Sequence, residues 1–322
     1  MRPAWQLIAD GTDLTAALSN RLERLSLVDE KGEQSDQLEI VISDPNAVLD
    51  PPRKGVELAL SLGYGSDLVG LGHFTVDEVQ LSGPPDQFRI IARAADFLSG
   101  LKARKTRGWP ETTLGDLLDA IAAEHGLTPA IDQDLSTVAY AHIDQTESDL
   151  NLLTRLARDH GAIAKPVDRH LVMTRRGTGE TISGAPLPTQ LIPQSDMLSW
   201  RLVQAERPQF AGASARFFDP ISGEESVARA VDGDGPIKAL PRLYDTQETA
   251  LAAARAAQAA MQRGRERFEA TLVGRPDLQA ESPLSVSHRR SALNGDWITT
   301  RAEHRFDRGG YTTLVRAERR AD

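Results

Sequence analysis

The chain has 322 residues, with a hydrophobic fraction of 40% and a charged fraction of 26%, which are ordinary values for a folded protein of two or three domains. It contains no cysteine, which excludes disulfides, thiolate metal sites and cysteine nucleophiles. The formal net charge of -9 argues against a general nucleic-acid binder, because phosphate binding needs clustered cations. No apolar run approaches the roughly 20 residues that a membrane-spanning helix requires.

The first hundred residues alternate between apolar and polar side chains with period two, which is typical of strands with one buried face. The pattern is clearest over residues 56–64 and returns over residues 38–42 and 88–94. Clusters of Pro, Gly and Asp predict turns between these strands at residues 44–46, 50–52 and 83–86. We therefore expect an antiparallel β-barrel domain over residues 1–106.

After Arg107 the apolar period becomes helical. The positions that show the helical spacing are Leu114, Leu117, Leu118 and Ile121. Thr112 or Thr113 can cap the beginning of this helix, and Gly126 can end it. A second helix is predicted from the apolar positions Leu150, Leu153, Leu156 and Ala157. Thr146, with Asp149 three residues on, predicts its N-cap, and Gly161 its end. Residues 107–194 are therefore expected to form an α+β domain.

The two predicted helices end alike, in residues 124–126 (Glu-His-Gly) and 159–161 (Asp-His-Gly). One interpretation pairs the two histidines in a catalytic site. The alternative, which we favour, is that a histidine in the last turn of a helix is stabilised by the helix dipole alone.

The Gly-, Pro-, Thr- and Ser-rich residues 177–193 indicate a linker or an extended crossover. Strand-like alternation resumes at residues 198–202 and 213–217. A helix is expected at about residues 246–267. Residues 298–306 and 311–315 then predict a closing hairpin. Thr246 and Thr249 have the spacing of a helix cap. We therefore expect a second β-barrel domain over residues 195–322 that carries a helical insertion.

Sequence motifs for chemistry are absent: we find no nucleophile elbow, no zinc-binding helix and no phosphate-binding loop. Residues 232–235 resemble the start of a calcium loop, but Leu243 stands where a bidentate glutamate is needed. Glu224 and Glu225 are adjacent and would point to opposite faces of a strand. The sequence therefore predicts no catalytic residue, no cofactor and no metal site.

One local basic run stands out in an acidic chain. Its members are Lys102, Arg104, Lys105 and Arg107, followed by Trp109. Such a run could contact a phosphate backbone or an acidic protein partner, or it could be an exposed loop between domains. We favour a protein interface over nucleic acid, since the whole chain is acidic.

Several segments, taken in order, resemble one family, the phage late control gene D proteins. The segments are residues 101–109, 113–118, 124–127, 145–157, 302–306 and 309–313. They cover the middle and the end of the chain. Each is weakly specific alone, and their shared order is what makes the resemblance specific.

The resemblance implies a structural baseplate hub protein of a contractile phage tail or phage-tail-like particle. The implied fold is α+β but mainly β, with two tube-forming β-barrels and an α+β domain between them. Three such chains would close a homotrimeric ring that adapts a hexameric tail tube to a trimeric spike. Valine-glycine repeat proteins of type VI secretion resemble it in their front half and continue into a spike, so we expect the spike here to be a separate protein.

The implied partners are the spike, the tail tube protein, other baseplate proteins and the tape-measure protein, with DNA only in transit through the lumen. The implied location is the virion tail baseplate, after synthesis and assembly in the bacterial host cytoplasm. Two rival hypotheses are a tail-tip peptidoglycan hydrolase and a receptor- or glycan-binding module. The first lacks a recognisable carboxylate pair, and an aromatic content of 5% gives the second little support.

Overall fold

A computed structural model describes residues 2–30, 36–94, 98–167, 169–176, 187–204, 210–219, 222–263 and 265–320. The protein is mainly β with a smaller helical part, which confirms the α+β, mainly β class. Among the described residues, no helix combines the length and the apolar character needed to cross a membrane.

The strands, in chain order, are β1 Pro3–Ala9, β2 Thr12–Asp13, β3 Leu22–Glu30, β4 Gln37–Ser43, β5 Glu57–Tyr64, β6 Asp67–Ser82, β7 Gln87–Ala94, β8 Arg107–Thr113, β9 Thr128–Ile131, β10 Ala139–Gln145, β11 Ala162–Val167, β12 His170–Arg175, β13 Gln190–Pro193, β14 Met197–Gln204, β15 Gly212–Asp219, β16 Glu224–Val231, β17 Ile237–Tyr244, β18 Glu266–Val273, β19 Pro283–Ser287, β20 Gly295–Asp307 and β21 Gly310–Arg319. The helices are α1 Thr15–Leu18, α2 Leu98–Leu101, α3 Leu114–Glu124, α4 Gln133–Ser136, α5 Asp149–Asp159 and α6 Gln247–Arg263, with 3-10 turns at Gln194–Asp196 and Ser291–Leu293.

The chain folds into two compact units built from interleaved segments. Unit 1 comprises residues 1–96, 189–202 and 268–317, and unit 2 comprises residues 97–188, 203–267 and 318–322. The three consecutive domains expected from the sequence, 1–106, 107–194 and 195–322, remain a prediction.

Unit 1 is built on a sheet of thirteen strands. Its main path runs β14-β18-β21-β20-β3-β4-β7-β6-β5-β1-β2, and β13 and β19 attach beside β20. The antiparallel pairing of β3 with β20, from Glu30 opposite Arg301 to Arg24 opposite Asp307, joins the first strands of the chain to the last. Strands far apart in sequence therefore share one hydrogen-bonded sheet.

Two separate apolar cores lie along this sheet. The first is formed by β1 and β3–β7, where the alternation predicted for residues 56–64 is confirmed by the burial of Leu58, Leu60 and Leu62. The second is formed by β13 and β18–β21 around Trp297, whose indole N–H donates to the Leu293 carbonyl at 3.0 Å. The strands of the predicted closing hairpin are confirmed as β20 and β21.

The first part of unit 2 packs α3 and α5 against short sheets. Thr113 caps α3, accepting a hydrogen bond from the Asp116 backbone N–H while Asp116 reaches back, which confirms one of the two predicted caps. The predicted cap of α5 was wrong, because Ser148 rather than Thr146 accepts from the Asn151 backbone N–H. Ser148 has the extended backbone that an N-cap adopts.

The second part of unit 2 is the three-stranded sheet β16-β15-β17, with α6 packed on one face. Small residues allow this close approach, since Ala213 and Ala215 of β15 meet Ala250 and Ala253 of α6 in a buried cluster. Gly212 is required where β15 passes β16, because a Cβ there would lie 2.2 Å from the Ala230 carbonyl oxygen. The helix lies within the predicted range 246–267, and Thr246 accepts from the Thr249 N–H at 3.2 Å, as its capping spacing indicates.

Strand β14 differs from the expected pattern of burial. The alternation at residues 198–202 predicts one buried face, yet Leu198 and Trp200 are 61% and 39% exposed. The core contact comes instead from Met197 and Leu202, which are partly buried against the second core. The end strand of the sheet therefore carries apolar side chains on its solvent side.

Candidate functional site

The predicted basic run lies beside the beginning of α5 because its backbone pairs with the segment before that helix. Arg104 forms an isolated β-bridge with Ser148, and the Lys105 N–H donates to the Glu147 carbonyl at 3.1 Å. Strand β8 then begins at Arg107 and pairs with β10. This pairing brings the side chains of Lys105 and Arg107 to Asp149, in the first turn of α5.

Asp149 is the centre of a compact charged network. Its side chain is 0% exposed and accepts from Lys105 Nζ at 2.6 Å and from an Arg107 guanidinium nitrogen at 2.9 Å. Gln145 donates its amide to the same carboxylate at 2.7 Å, and His125 Nε2 lies 2.8 Å away. Four side chains therefore surround this carboxylate.

Trp109 and Glu124 complete the network at its surface. The Trp109 indole N–H donates to the Gln145 side-chain oxygen at 3.0 Å, and the Arg107 guanidinium lies 4.2 Å from the centre of the Trp109 ring. Glu124 receives Lys105 at 2.7 Å and Arg107 at 2.5 Å. The cations of the run are therefore shared between one buried and one exposed carboxylate.

The pKa values follow from these contacts. Burial acts to raise the pKa of Asp149, but the hydrogen bonds from Lys105, Gln145 and His125 outweigh it and lower the pKa to about 2. Burial acts to lower the pKa of Lys105, and its contacts with Asp149 and Glu124 raise it above the ordinary value. Asp149 is therefore ionised and Lys105 protonated at neutral pH.

The five residues predicted as an interface divide into two groups. Lys105, Arg107 and Trp109 are half-buried within the network, whereas Lys102 and Arg104 are exposed. Arg104 uses its Nε to donate to the Thr146 carbonyl at 2.7 Å. The interface role of the run remains a prediction, and Lys102 and Arg104 offer the accessible charge for it.

Within the described part of the chain, one group of side chains has the composition of a metal site: Glu124, His125 and Asp149, with ligand atoms within 4.8 Å of one another. The cations that such carboxylates require are already supplied by Lys105 and Arg107. The geometry fits an ion-pair network that fixes α3, α5 and β8 together. Sequence reasoning missed the role of Asp149, because its partner Arg107 lies 42 residues away.

A second polar cluster lies at the opposite end of α5. The Tyr140 hydroxyl and His160 Nε2 are 2.7 Å apart, while Asp159 accepts from Arg242 at 2.8 Å and from the Tyr244 hydroxyl at 3.1 Å. Burial, with Arg175 and Arg242 nearby, lowers the pKa of His160 to about 4. Burial also raises the pKa of Asp159 above its ordinary value.

The two helix-ending histidines serve different clusters. His125 and His160 are the C-cap residues of α3 and α5, and each backbone N–H bonds to carbonyls of the last turn. Their side chains contact Asp149 and Tyr140 respectively. The two histidines therefore lie in separate clusters and do not form a catalytic pair. The helix dipole alone does not account for His160 either, because its lowered pKa leaves the imidazole neutral at pH 7.

Comparison with known protein families shows the family to which this chain belongs. Residues 56–310 match the model of the phage tail baseplate hub (GPD) family. The chain belongs to this family. A probable baseplate hub protein of Escherichia phage 186 is 31% identical to it over an alignment of 362 positions, gaps included, which covers 99% of this chain and 93% of the phage protein. Baseplate hub proteins are components of the virion tail.

Solved structures of similar fold include phage tail proteins and a component of a type VI secretion system. The 43 kDa tail protein of prophage MuSo2 from Shewanella oneidensis superposes with a TM-score of 0.75 at 15% identity and covers 98% of both chains. The E. coli c3393 protein, a type VI secretion component with structural similarity to phage T4 gp27 and gp5, gives a TM-score of 0.60 at 10% identity. That match covers 94% of this chain and 74% of c3393. At these identities the likeness shows a common fold.

The Asp149 network predicts a large effect of a small substitution. Asp149→Asn keeps the shape of the side chain but leaves Lys105 and Arg107 without their buried counter-charge, so we expect a loss of about 3 kcal/mol in the free energy of unfolding. Glu124→Gln removes a more exposed carboxylate that contacts the same cations, and should cost below about 1 kcal/mol. Urea unfolding of both variants measures the difference; equal losses would contradict a central role for Asp149.

His160 predicts a pH dependence of stability. The unfolded side chain binds a proton below its ordinary pKa of 6.5, whereas the folded one binds it only near pH 4. Stability present above pH 6.5 is therefore lost as the pH falls toward 4, by about 2 kcal/mol between pH 7 and pH 4.5. His160→Gln should flatten this dependence in urea unfolding, while substitution of the exposed His142 by Gln should leave it unchanged. A variant at position 160 with the wild-type pH dependence would refute the assignment.

Proposed function

We propose that this hub protein works as a non-enzymatic homotrimeric ring that joins a hexameric tail tube to a trimeric spike. The observation that carries the proposal is the pair of separate apolar cores along one sheet, one from β1 and β3–β7 and the other from β13 and β18–β21. Two such lobes in each chain are what a trimer needs to offer six similar units to a six-fold tube. We propose that these two sets of strands are the two tube-forming β-barrels that the family resemblance implies.

The ends of the sheet support assembly through strand edges. The main path ends at β14 on one side and at the two-residue β2 on the other. An eight-residue end strand with exposed Leu198 and Trp200 is a hazard for a protein that stays monomeric. In a ring, the next chain covers such an edge, and closure of the ring limits further growth.

The exposed face of the sheet β16-β15-β17 supports a role as part of an assembly. The face opposite α6 carries large apolar side chains that are 36–49% exposed, namely Phe218, Val227, Val231, Ile237 and Leu243. Cross-strand pairing sets Val227 and Leu243 on either side of Arg216. A face on which exposed apolar side chains alternate with charged ones in this way is suited to protein–protein contact.

The chemistry of the described clusters supports a structural role rather than hydrolysis. A glycosidase needs two carboxylates across a cleft with separated pKa values. Asp149 and Glu124 are instead neutralised by the same two cations, and the pKa of each is lowered. The carboxylates of this network are used to hold helices and strands in place.

The partners that we propose are a spike protein, the tail tube protein, other baseplate proteins and the tape-measure protein, with DNA passing through the centre of the ring. The particle is assembled in the host cytoplasm and the hub remains in the tail baseplate. Relatives of this fold occur in both phage tails and type VI secretion, which supports a role at the junction of a tube and a spike.

Electron microscopy of the purified chain tests the ring directly. We expect class averages with three-fold symmetry and an open centre, and light scattering at the mass of three chains. A chain that stays monomeric across the concentration range of both measurements would overturn the proposal. Clearing of a peptidoglycan gel by the purified chain would overturn the non-enzymatic part.

A further inference from the structure

One face of the sheet in unit 1 carries interleaved charged side chains, with Val41 and Ile91 buried among them. We call this surface the Arg–Glu ladder and define it as Arg24, Glu39, Arg89, Arg301, Glu303 and Arg305. These residues belong to β3, β4, β7 and β20, which are neighbours in the order β20-β3-β4-β7. They project from the face opposite the buried Leu25, Leu38 and Ile40, since side chains alternate along each strand.

Each glutamate of the ladder is held between two arginines. Glu39 receives Arg24 at 2.5 Å and Arg89 at 2.6 Å. Glu303 receives Arg305 at 3.0 Å and Arg301 at 3.2 Å. Burial acts to raise the pKa values of Glu39 and Glu303, and their arginine contacts lower them. Both carboxylates therefore stay ionised and keep the guanidinium groups against the sheet.

The six ladder residues are four arginines and two glutamates, and two further carboxylates at the border of the ladder, Glu30 and Glu78, balance the excess positive charge. Arg301 also pairs with Glu30, and Glu78 lies close enough to Arg89 to affect its pKa. The four arginines thus face four glutamates. Strands lie about 4.8 Å apart, so charges of opposite sign alternate within less than the screening length of about 8 Å at physiological salt. A phosphate above this surface meets fields that largely cancel.

The composition of the ladder is unlike that of a protein-docking face. Among the described residues, no exposed large apolar side chain belongs to β3, β4, β7 or β20. These four strands also contain no lysine, whose flexible ammonium group could reach out to a passing phosphate. The ladder lines a shallow groove of about 270 Å³ over β3 rather than a closed pocket. Counted together with Glu30 and Glu78, the exposed surface of the ladder is polar and without net charge.

We propose that the Arg–Glu ladder lines the passage of the ring and lets double-stranded DNA slide past without binding. Nonspecific attraction to DNA comes from cations that release counterions from the phosphates, and here each ladder arginine is already engaged by a carboxylate. The inference rests on the proposed ring, since only a ring provides a passage. The partner is DNA in transit, and the function of the surface is to avoid holding it.

Removing the negative charges of the ladder tests whether this surface avoids binding DNA. In Glu39→Gln/Glu303→Gln the arginines are freed, and we expect binding to a linear DNA duplex to tighten at least about tenfold at low salt, with a dependence on salt steeper by about two to three phosphate contacts. The matched control Glu147→Gln/Glu225→Gln changes net charge equally and frees Arg155 and Arg216 outside the ladder. It should stay near wild type.

Adding Arg89→Gln and Arg305→Gln to the ladder variant removes two of the freed cations, so binding should return toward wild type. Persistent tight binding by this quadruple variant would mean that the gain came from misfolding, and would overturn the inference. Equal binding by the ladder and control variants would overturn it as well, and so would tight binding of the duplex by the wild-type chain.

The orientation of the ladder is tested by labelling, which the absence of native cysteine makes specific. Gln80 is exposed beside Arg89, so Gln80→Cys can carry a maleimide gold particle. In images of the ring we expect gold inside the central opening. A ring with gold on its outer rim would overturn this inference and leave the proposed function standing, whereas no ring would overturn both.

Discussion

The antiparallel pairing of β3 with β20 is the constraint on which the rest of unit 1 depends. Without it, the strands of the first core and those of the second would form two unconnected sheets. The pairing is reinforced by contacts between the same regions: Asp29 accepts from the Ala280 N–H at 2.7 Å, and the Tyr64 hydroxyl donates to the Gly274 carbonyl at 3.0 Å. Tyr311 of β21 belongs to the first core, where it lies 5.9 Å from the ring of Tyr64.

Charge compensation recurs where the fold buries a carboxylate. In unit 2, Asp149 is satisfied by Lys105 and Arg107, and in unit 1, Glu39 is satisfied by Arg24 and Arg89. Both arrangements place a carboxylate between two cations, which lowers its pKa and removes the cost of leaving a charge unpaired. Two of the four cations in the basic run, Lys105 and Arg107, are therefore paired with a buried carboxylate inside the fold.

Local patterns in the sequence predicted local structure well. The period-two alternation in β5 and the helical spacing in α3 each depend on neighbours within a few residues, and both elements form as expected. The cap of α5 was misplaced because Thr146 and Ser148 are both good capping residues, and only the backbone conformation selects Ser148. The pairing of Lys105 with Asp149 and of β3 with β20 could not be predicted, because each contact joins segments that are far apart in the chain. The spacing of apolar residues within each segment would be the same without the contact. The exposure of Leu198 and Trp200 could not be predicted either, because alternation indicates which face of a strand is apolar but does not show whether another part of the chain covers that face.

The central claim is that the two sets of strands form one cooperative sheet through β3 and β20, and native-state hydrogen exchange tests it most directly. The amides of Leu25 and Leu27 in β3 and of Ala302 and His304 in β20 should exchange with the same free energy of opening and the same dependence on denaturant. Exchange of the β3 amides through a separate opening of much lower free energy, while β20 stays protected, would contradict the account.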